Sequence, residues 1–167
     1  MFDYEEYIES IADFPKEGIL YRDIQPLLED DFMFSAAIND LGKIYEGDNR
    51  PTHWVGVESR GFLLAGALSM KFGGGIKLIR KKGKLPNKRL FSVSYGLEYG
   101  KDVLEIDIDR ERGSVVIVDD VYATGGTMEA AERLCEEAGL EVIGKVALVD
   151  IGIKKDHDVN CLVTYNG

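Results

Sequence analysis

The stretch Val115-Val116-Ile117-Val118-Asp119-Asp120-Val121-Tyr122-Ala123-Thr124-Gly125-Gly126-Thr127 is an apolar run that ends in two acids and a turn of small residues. Four consecutive β-branched residues suit a strand buried on both faces. From Met128 to Ala138 the period changes, and Met128, Ala131, Leu134, Cys135 and Ala138 fall on one stripe of a helix. Strand, turn and helix in that order put the turn at the carboxyl end of a parallel strand. That edge is where open α/β sheets bind ligands, and a helix amino terminus there offers free N–H groups and the positive end of its dipole.

The residue types in the turn narrow the ligand. Gly125 and Gly126 remove side chains so that backbone N–H groups can approach a phosphate, while Thr124 and Thr127 add hydroxyl donors. Asp119 and Asp120 cannot hold the phosphate themselves, because like charges repel. As acceptor-only groups they suit sugar hydroxyls or a developing cation. The combination points to a phosphorylated sugar. A nucleoside-triphosphate loop needs a Lys after its glycines, and here Gly126 is followed by Thr127; a dinucleotide fingerprint needs a middle glycine that the pair Gly61 and Gly66 lacks.

Upstream, His53 to Val57 reads as a short buried strand, followed by Glu58-Ser59-Arg60-Gly61-Phe62 and an apolar helix from Leu63 to Phe72. This is a second anion site by the same reasoning, a helix amino terminus with Ser59 and Arg60 beside it. Gly73 to Gly75 ends that helix, and a strand from Ile76 to Ile79 leads into a basic run. Lys77, Arg80, Lys81, Lys82, Lys84, Lys88 and Arg89 lie together with no acid among them. The whole chain carries −10, which excludes nonspecific binding to nucleic acid or an anionic membrane, so an anionic ligand needs such a local patch. Leu90 to Tyr95 and Val103 to Ile108 alternate like a hairpin with its turn near Gly96 to Gly100.

The remaining chain is that of one ordinary globular domain. It has 167 residues, 45% apolar and 30% charged, enough for a core without disulfides or metals. Cys135 and Cys161 are too few for a disulfide framework or a metal site, and a reducing cytoplasm is the simplest compartment. Met1 to Ser10 has four acids and no base, unlike a secretory or transit segment, and no apolar run approaches membrane-spanning length. Phe2 to Ala12 spaces its apolar residues as a short amphipathic helix that Pro15 ends, and Phe32 to Tyr45 reads as another helix. Between them, residues 13–28 are irregular yet rich in apolar and aromatic residues, as a hood over a site is. Val142 to Asp150 and Cys161 to Tyr165 are expected strands. His53 and His157 are expected at the surface, without catalytic roles.

The stretch 115–127 resembles the signature of the type I phosphoribosyltransferases, which bind 5-phosphoribosyl 1-pyrophosphate (PRPP). That resemblance implies an α/β fold with a mostly parallel central sheet flanked by helices, a small N-terminal hood and a mobile hairpin loop, in one domain spanning 1–167. It implies that Asp119 and Asp120 hold the ribose hydroxyls and that Ala123, Thr124, Gly125, Gly126 and Thr127 wrap the 5-phosphate. Glu58, Ser59 and Arg60 then form the pyrophosphate loop, with a cis peptide at Glu58-Ser59, and Arg80 and Lys84 add positive charge.

Phe14-Pro15, Gly18, Arg22-Asp23-Ile24 and Pro26-Leu27 are similar to the segment that marks the adenine-specific branch of that family. The implied reaction is adenine plus PRPP giving AMP and pyrophosphate, in purine salvage, with residues 1–28 as hood and base-binding segment, the Leu20 backbone on the purine edge and Arg22 fixing the base. Gln25 stands where the branch usually has Ser or Thr. Tyr95-Gly96-Leu97-Glu98-Tyr99-Gly100 resembles its mobile catalytic loop, taken as 80–102, in which Glu98 handles the purine proton, Tyr99 covers the reacting centre and Arg60 supports the leaving group. Mg2+ is implied as a cofactor held mainly by substrate rather than by a protein metal site, and a homodimer as the assembly. Gly152 to Asp158 departs from the pattern, being shorter than usual. Transfer to hypoxanthine or guanine stays open as an alternative, as does a PRPP-binding regulator; the latter usually adds a DNA-binding domain or a basic face, and this chain has neither.

Overall fold

In a computed structural model of the chain, residues 2–86, 89–97, 100–107 and 112–165 are described. A single 3-10 turn, Glu5–Tyr7, precedes strand β1 (Glu9–Ala12), which pairs antiparallel with β2 (Leu20–Asp23). This replaces the helix expected over residues 2–12. Pro15 and Gly18 turn the chain back on itself, so its backbone hydrogen bonds are made across the hairpin; of the apolar spacing, Tyr4 and Ile8 are buried in the core and Tyr7 packs against it. The Phe14-Pro15 peptide is cis.

Two helices follow, α1 (Gln25–Glu29) and α2 (Asp31–Gly42). The Asp30 carboxylate caps α2 by accepting from Met33 N–H at 2.8 Å. The expected helix over 32–45 finishes as a 3-10 turn, Lys43–Tyr45. Next come β3 (His53–Val57), α3 (Gly61–Phe72) and β4 (Gly75–Lys81). The antiparallel hairpin is β5 (Leu90–Leu97) and β6 (Gly100–Asp107), and the chain ends with β7 (Ser114–Tyr122), α4 (Gly126–Glu137), β8 (Glu141–Asp150) and β9 (Val159–Thr164).

The sheet runs β5-β6-β4-β3-β7-β8-β9, with β4, β3, β7, β8 and β9 parallel. Its centre is the β-branched run. Val115, Val116, Ile117 and Val118 are all 0% exposed, so both faces are covered, as a continuous apolar strand requires. Val116 and Val118 join α3 residues Leu64, Ala65 and Leu68 in one core, while Val115 and Ile117 join α4 residues Met128, Ala131 and Leu134 in the other. Cys135 is buried in the second, as the stripe predicts.

At the amino end of β3, Trp54 is fully buried. Its indole N–H donates to the Gly73 carbonyl at 2.8 Å, and Tyr45 meets the ring edge-on with centroids 5.8 Å apart.

The sheet order decides where a ligand can sit. From β3 the chain crosses to β4 on one side, and from β7 to β8 on the other, so the boundary between β3 and β7 is the switch point at which crevices open. Because those two strands are direct neighbours, the turns that follow them lie side by side.

Candidate active site

The turn after β7 is built as a cradle. Gly125 adopts φ +89°, a left-handed conformation that favours glycine, and α4 begins at Gly126. A β-carbon on Gly126 would come within 3.1 Å of the Gly96 carbonyl, so the absent side chain also lets the end of β5 approach. Tyr95 on β5 packs against the first turn of α4, its ring edge 3.8 Å from where a β-carbon on Gly126 would stand, with Thr127 beside its hydroxyl. The hairpin is thereby tied directly to the helix terminus expected to face an anion.

Asp119 and Asp120 stand at the end of β7, 9% and 7% exposed. Burial, with Asp120 alongside, pushes the Asp119 carboxyl well above the usual carboxylate range, against the opposing pull of Arg60. Asp119 Oδ1 accepts from Asp120 N–H at 3.0 Å. Asp120 Oδ2 lies 2.7 Å from Arg60 Nε, an ion pair without hydrogen-bond alignment.

On the neighbouring strand the Glu58-Ser59 peptide is cis, as expected. Glu58 gathers the basic run: Oε1 bonds Lys84 Nζ, while Oε2 accepts from Lys81 N–H at 2.9 Å and lies 3.4 Å from Arg80 Nε. Burial works to raise its pKa, but the bonds from Lys84, Lys81 and Arg80 outweigh it and hold the carboxyl below its ordinary value. Arg80 also donates to the Lys84 carbonyl at 3.1 Å. The two turns touch through Gly61, where a β-carbon would fall 2.5 Å from the Val118 carbonyl.

Between the turn after β7 and the hood lies a cavity of about 320 Å³. Asp119 and residues 123–127 form its polar end; Ile19, Val121 and Ile151 form an apolar one. Of the two residues expected at the base, Leu20 points its side chain outward, 49% exposed, while the adjacent Ile19 lines the cavity. The Arg22 guanidinium stacks on Tyr165, 3.5 Å from the ring centroid, and bonds Ser10 Oγ. Neither side chain lines the cavity. Glu98 and Tyr99 lie outside the described residues, as does Lys88 of the basic run.

Several neighbours of the site escape the sequence reading. Tyr21 in β2 accepts a hydrogen bond from Arg60 Nη1 at 2.5 Å and stacks against Phe14 with centroids 5.1 Å apart, joining the hood to the turn after β3. His157 is not a surface residue: its side chain is 14% exposed and Nε2 lies 3.0 Å from Asp150 Oδ2. Ile151 closes the apolar end of the cavity. No local motif signals these three; each is defined by a partner far away in sequence. The aromatic-rich, Pro- and Gly-broken character of residues 13–28 is the one signal that could have pointed to Tyr21.

The chain matches a family model described as the phosphoribosyl transferase domain over residues 27–166. It is 47% identical to the adenine phosphoribosyltransferase of Hydrogenovibrio crunogenus over 148 residues, 87% of this chain and 84% of that one. Among solved structures, the adenine phosphoribosyltransferase of Thermoanaerobacter pseudethanolicus superposes with a TM-score of 0.88 at 37% identity, covering 96% of this chain and 97% of that one. The Giardia lamblia enzyme, solved in complex with 9-deazaadenine, gives a TM-score of 0.89 at 31% identity, with 97% and 96% covered.

Proposed function

The chain belongs to the phosphoribosyltransferase family, and from that premise we propose that it transfers the 5-phosphoribosyl group of PRPP to adenine, giving AMP and pyrophosphate in purine salvage. The observation that carries this reading is the pairing of β3 with β7. It sets the two turns side by side, with Asp119, the turn after β7 and the hood around a cavity whose other end is apolar.

Each end of the substrate has a physical counterpart. The backbone N–H groups of Ala123 to Gly126 and the amino end of α4 hold the 5-phosphate, with Thr124 and Thr127 adding hydroxyls. Asp119 and Asp120 accept from the ribose hydroxyls. Rupture of the bond from the anomeric carbon to pyrophosphate develops positive charge on the ribose, which these carboxylates stabilise, and negative charge on the leaving group, which Arg60, Arg80 and Lys84 stabilise. Ser59 and the cis turn at Glu58 complete the pyrophosphate side. Ile19, Val121 and Ile151 give the purine a dry slot that excludes competing water.

The base-binding segment 1–28 contributes through backbone near Leu20 and through Arg22. Arg22 must leave or share Tyr165 to reach the purine, because in this structure its guanidinium lies on that ring. Glu98 takes up or returns the imidazole proton and Tyr99 covers the reacting centre when the loop 80–102 closes. The contact of Tyr95 with Thr127 supports such closure, since it couples the hairpin to the phosphate end.

The donor set fits Mg2+ carried in by substrate. Among the described residues no three His, Cys, Asp or Glu side chains converge on a metal-sized site, while Asp119 and Asp120 supply hard oxygens next to where the ribose sits. Held there with PRPP, such an ion would supply positive charge against the leaving group. The assembly is proposed to be a cytoplasmic homodimer acting on small molecules, neither nucleic acid nor membrane. The net charge of −10 supports the last two exclusions, and among the described residues no helix is long and apolar enough to cross a membrane.

The test is pyrophosphate release from PRPP and Mg2+ with adenine, hypoxanthine, guanine or no base. Release with adenine alone is expected. Release with an oxopurine alone moves the specificity to another base, and PRPP binding without turnover overturns the transferase reading in favour of a regulator.

A further inference from the structure

The connection between β8 and β9, residues 151–158, contributes only Ile151 to the cavity, yet it is tied to both flanks of the phosphate loop. Ile151 N–H donates to the Tyr122 carbonyl at 3.0 Å. The Asp150 carboxylate closes the connection on itself: Oδ1 accepts from Gly152 N–H at 2.8 Å, and Oδ2 meets His157 Nε2 at 3.0 Å. Held in this way, the imidazole packs on the Tyr122 ring with centroids 4.4 Å apart. On the other flank Lys154 Nζ bonds Glu129 Oε1 in the first turn of α4. The far end is pinned as well, since Asp158 and Glu132 of α4 lie 2.7 and 2.8 Å from the buried Lys145 ammonium.

Two of these ties, the Ile151 N–H bond and the His157 ring, meet at Tyr122. It is 4% exposed, and its hydroxyl fills the space against Gly125, where a β-carbon would come within 2.7 Å of it. Gly125 has no side chain of its own to fix its position, and a cradle of backbone N–H groups grips a phosphate well only when held to within about 0.5 Å. A ring that is clamped from behind supplies that floor. His157 does not line the cavity, so any action it has on substrate passes through Tyr122.

We propose that His157, oriented by Asp150, is a positioning residue for the 5-phosphate: it fixes the Tyr122 ring, and Tyr122 fixes the phosphate loop at Gly125. This deepens the PRPP-binding reading and rests on it. Packing that merely stabilised the fold would affect both ends of PRPP alike, whereas this arrangement acts on the phosphate end alone.

The experiment uses the full chain and two probes, ribose 5-phosphate for the phosphate loop and pyrophosphate for the other turn. His157→Ala is expected to weaken ribose 5-phosphate about tenfold in calorimetry and to raise the KM for PRPP by the same factor, with pyrophosphate affinity and kcat held within about twofold. His157→Gln, whose amide nitrogen can still reach Asp150, is expected to recover most of the loss. Should His157→Ala not fold, Tyr122→Phe keeps the ring and removes only the hydroxyl against Gly125, and it must weaken ribose 5-phosphate by about threefold while sparing pyrophosphate. Unchanged ribose 5-phosphate affinity, or equal weakening of both probes, overturns the proposal. A wild-type chain that binds both probes but does not turn over PRPP with adenine instead sinks the transferase reading and leaves this one standing.

Discussion

Arg60 Nε and Asp120 Oδ2 lie 2.7 Å apart, although one residue follows β3 and the other ends β7. The pair bridges the turns after β3 and β7, and the same guanidinium donates to Tyr21 of the hood. Three segments distant in sequence therefore meet at one side chain. Removing it is expected to cost more than a charge, because Asp120 is left buried without its counter-ion.

Arg60→Ala is expected to lower kcat/KM for PRPP by about 10²- to 10³-fold, and Arg60→Lys to recover little of it, since a lysine cannot serve Asp120 and Tyr21 with one planar fork. Steady-state kinetics on the two variants checks this; full recovery in the Lys variant counts against the bridging role.

Asp119 carries a prediction about stability as well as turnover. Its folded-state pKa is raised by burial beside Asp120, so the folded chain holds the proton more tightly than the unfolded chain. The stabilisation that follows is fully present below the ordinary carboxylate range and is lost as the pH rises through the folded-state value. Wherever the side chain is ionised, it is thus a liability to the fold. Asp119→Asn is expected to raise Tm by about 2–4 °C at pH 7 while abolishing most turnover, with the gain vanishing near pH 3. A lower Tm at neutral pH would contradict this account.

Glu58 behaves in the opposite sense. Although burial opposes it, Lys84, Lys81 and Arg80 hold its carboxyl below the ordinary range, so its contribution is present above the unfolded-state value and disappears as the pH falls through the folded one. Thermal unfolding of Glu58→Gln is expected to show a Tm about 2–4 °C below wild type at pH 7 and no difference near pH 2–3.

Gly61 is where the two turns touch. Gly61→Ala places a β-carbon 2.5 Å from the Val118 carbonyl, a backbone atom in the centre of the sheet that has nowhere to move. The expected cost is about 1–3 kcal/mol of stability in denaturant unfolding, with weaker binding of both ribose 5-phosphate and pyrophosphate. Loss at one end only would argue that the turns are independent.

The central strand, the two strand-to-helix turns and the helices after them were legible because their signals are local: a β-branched run, an acid pair, small residues where backbone must approach, and a change of period. Residues 2–12 misled for the same reason, since the spacing of Phe2, Tyr4, Tyr7 and Ile8 also suits a turn leading into a strand, and only the partner strand at Leu20–Asp23 decides between them. Tyr21, Ile151 and His157 were out of reach because each acquires its meaning from a residue brought close by the fold. The histidine's neighbours in sequence, Asp156 and Asp158, read as a solvated surface, whereas the residues it touches are Asp150 and Tyr122.

Trp54 has a practical consequence. It is the chain's sole tryptophan, sealed at the amino end of β3, about 13 Å along the strand from Glu58 and the turn that begins there. Its emission should shift to the red when the chain unfolds and stay nearly constant when PRPP or adenine binds. One optical channel thus reports folding alone, so for every variant above, loss of fold and loss of ligand can be told apart in the same cuvette.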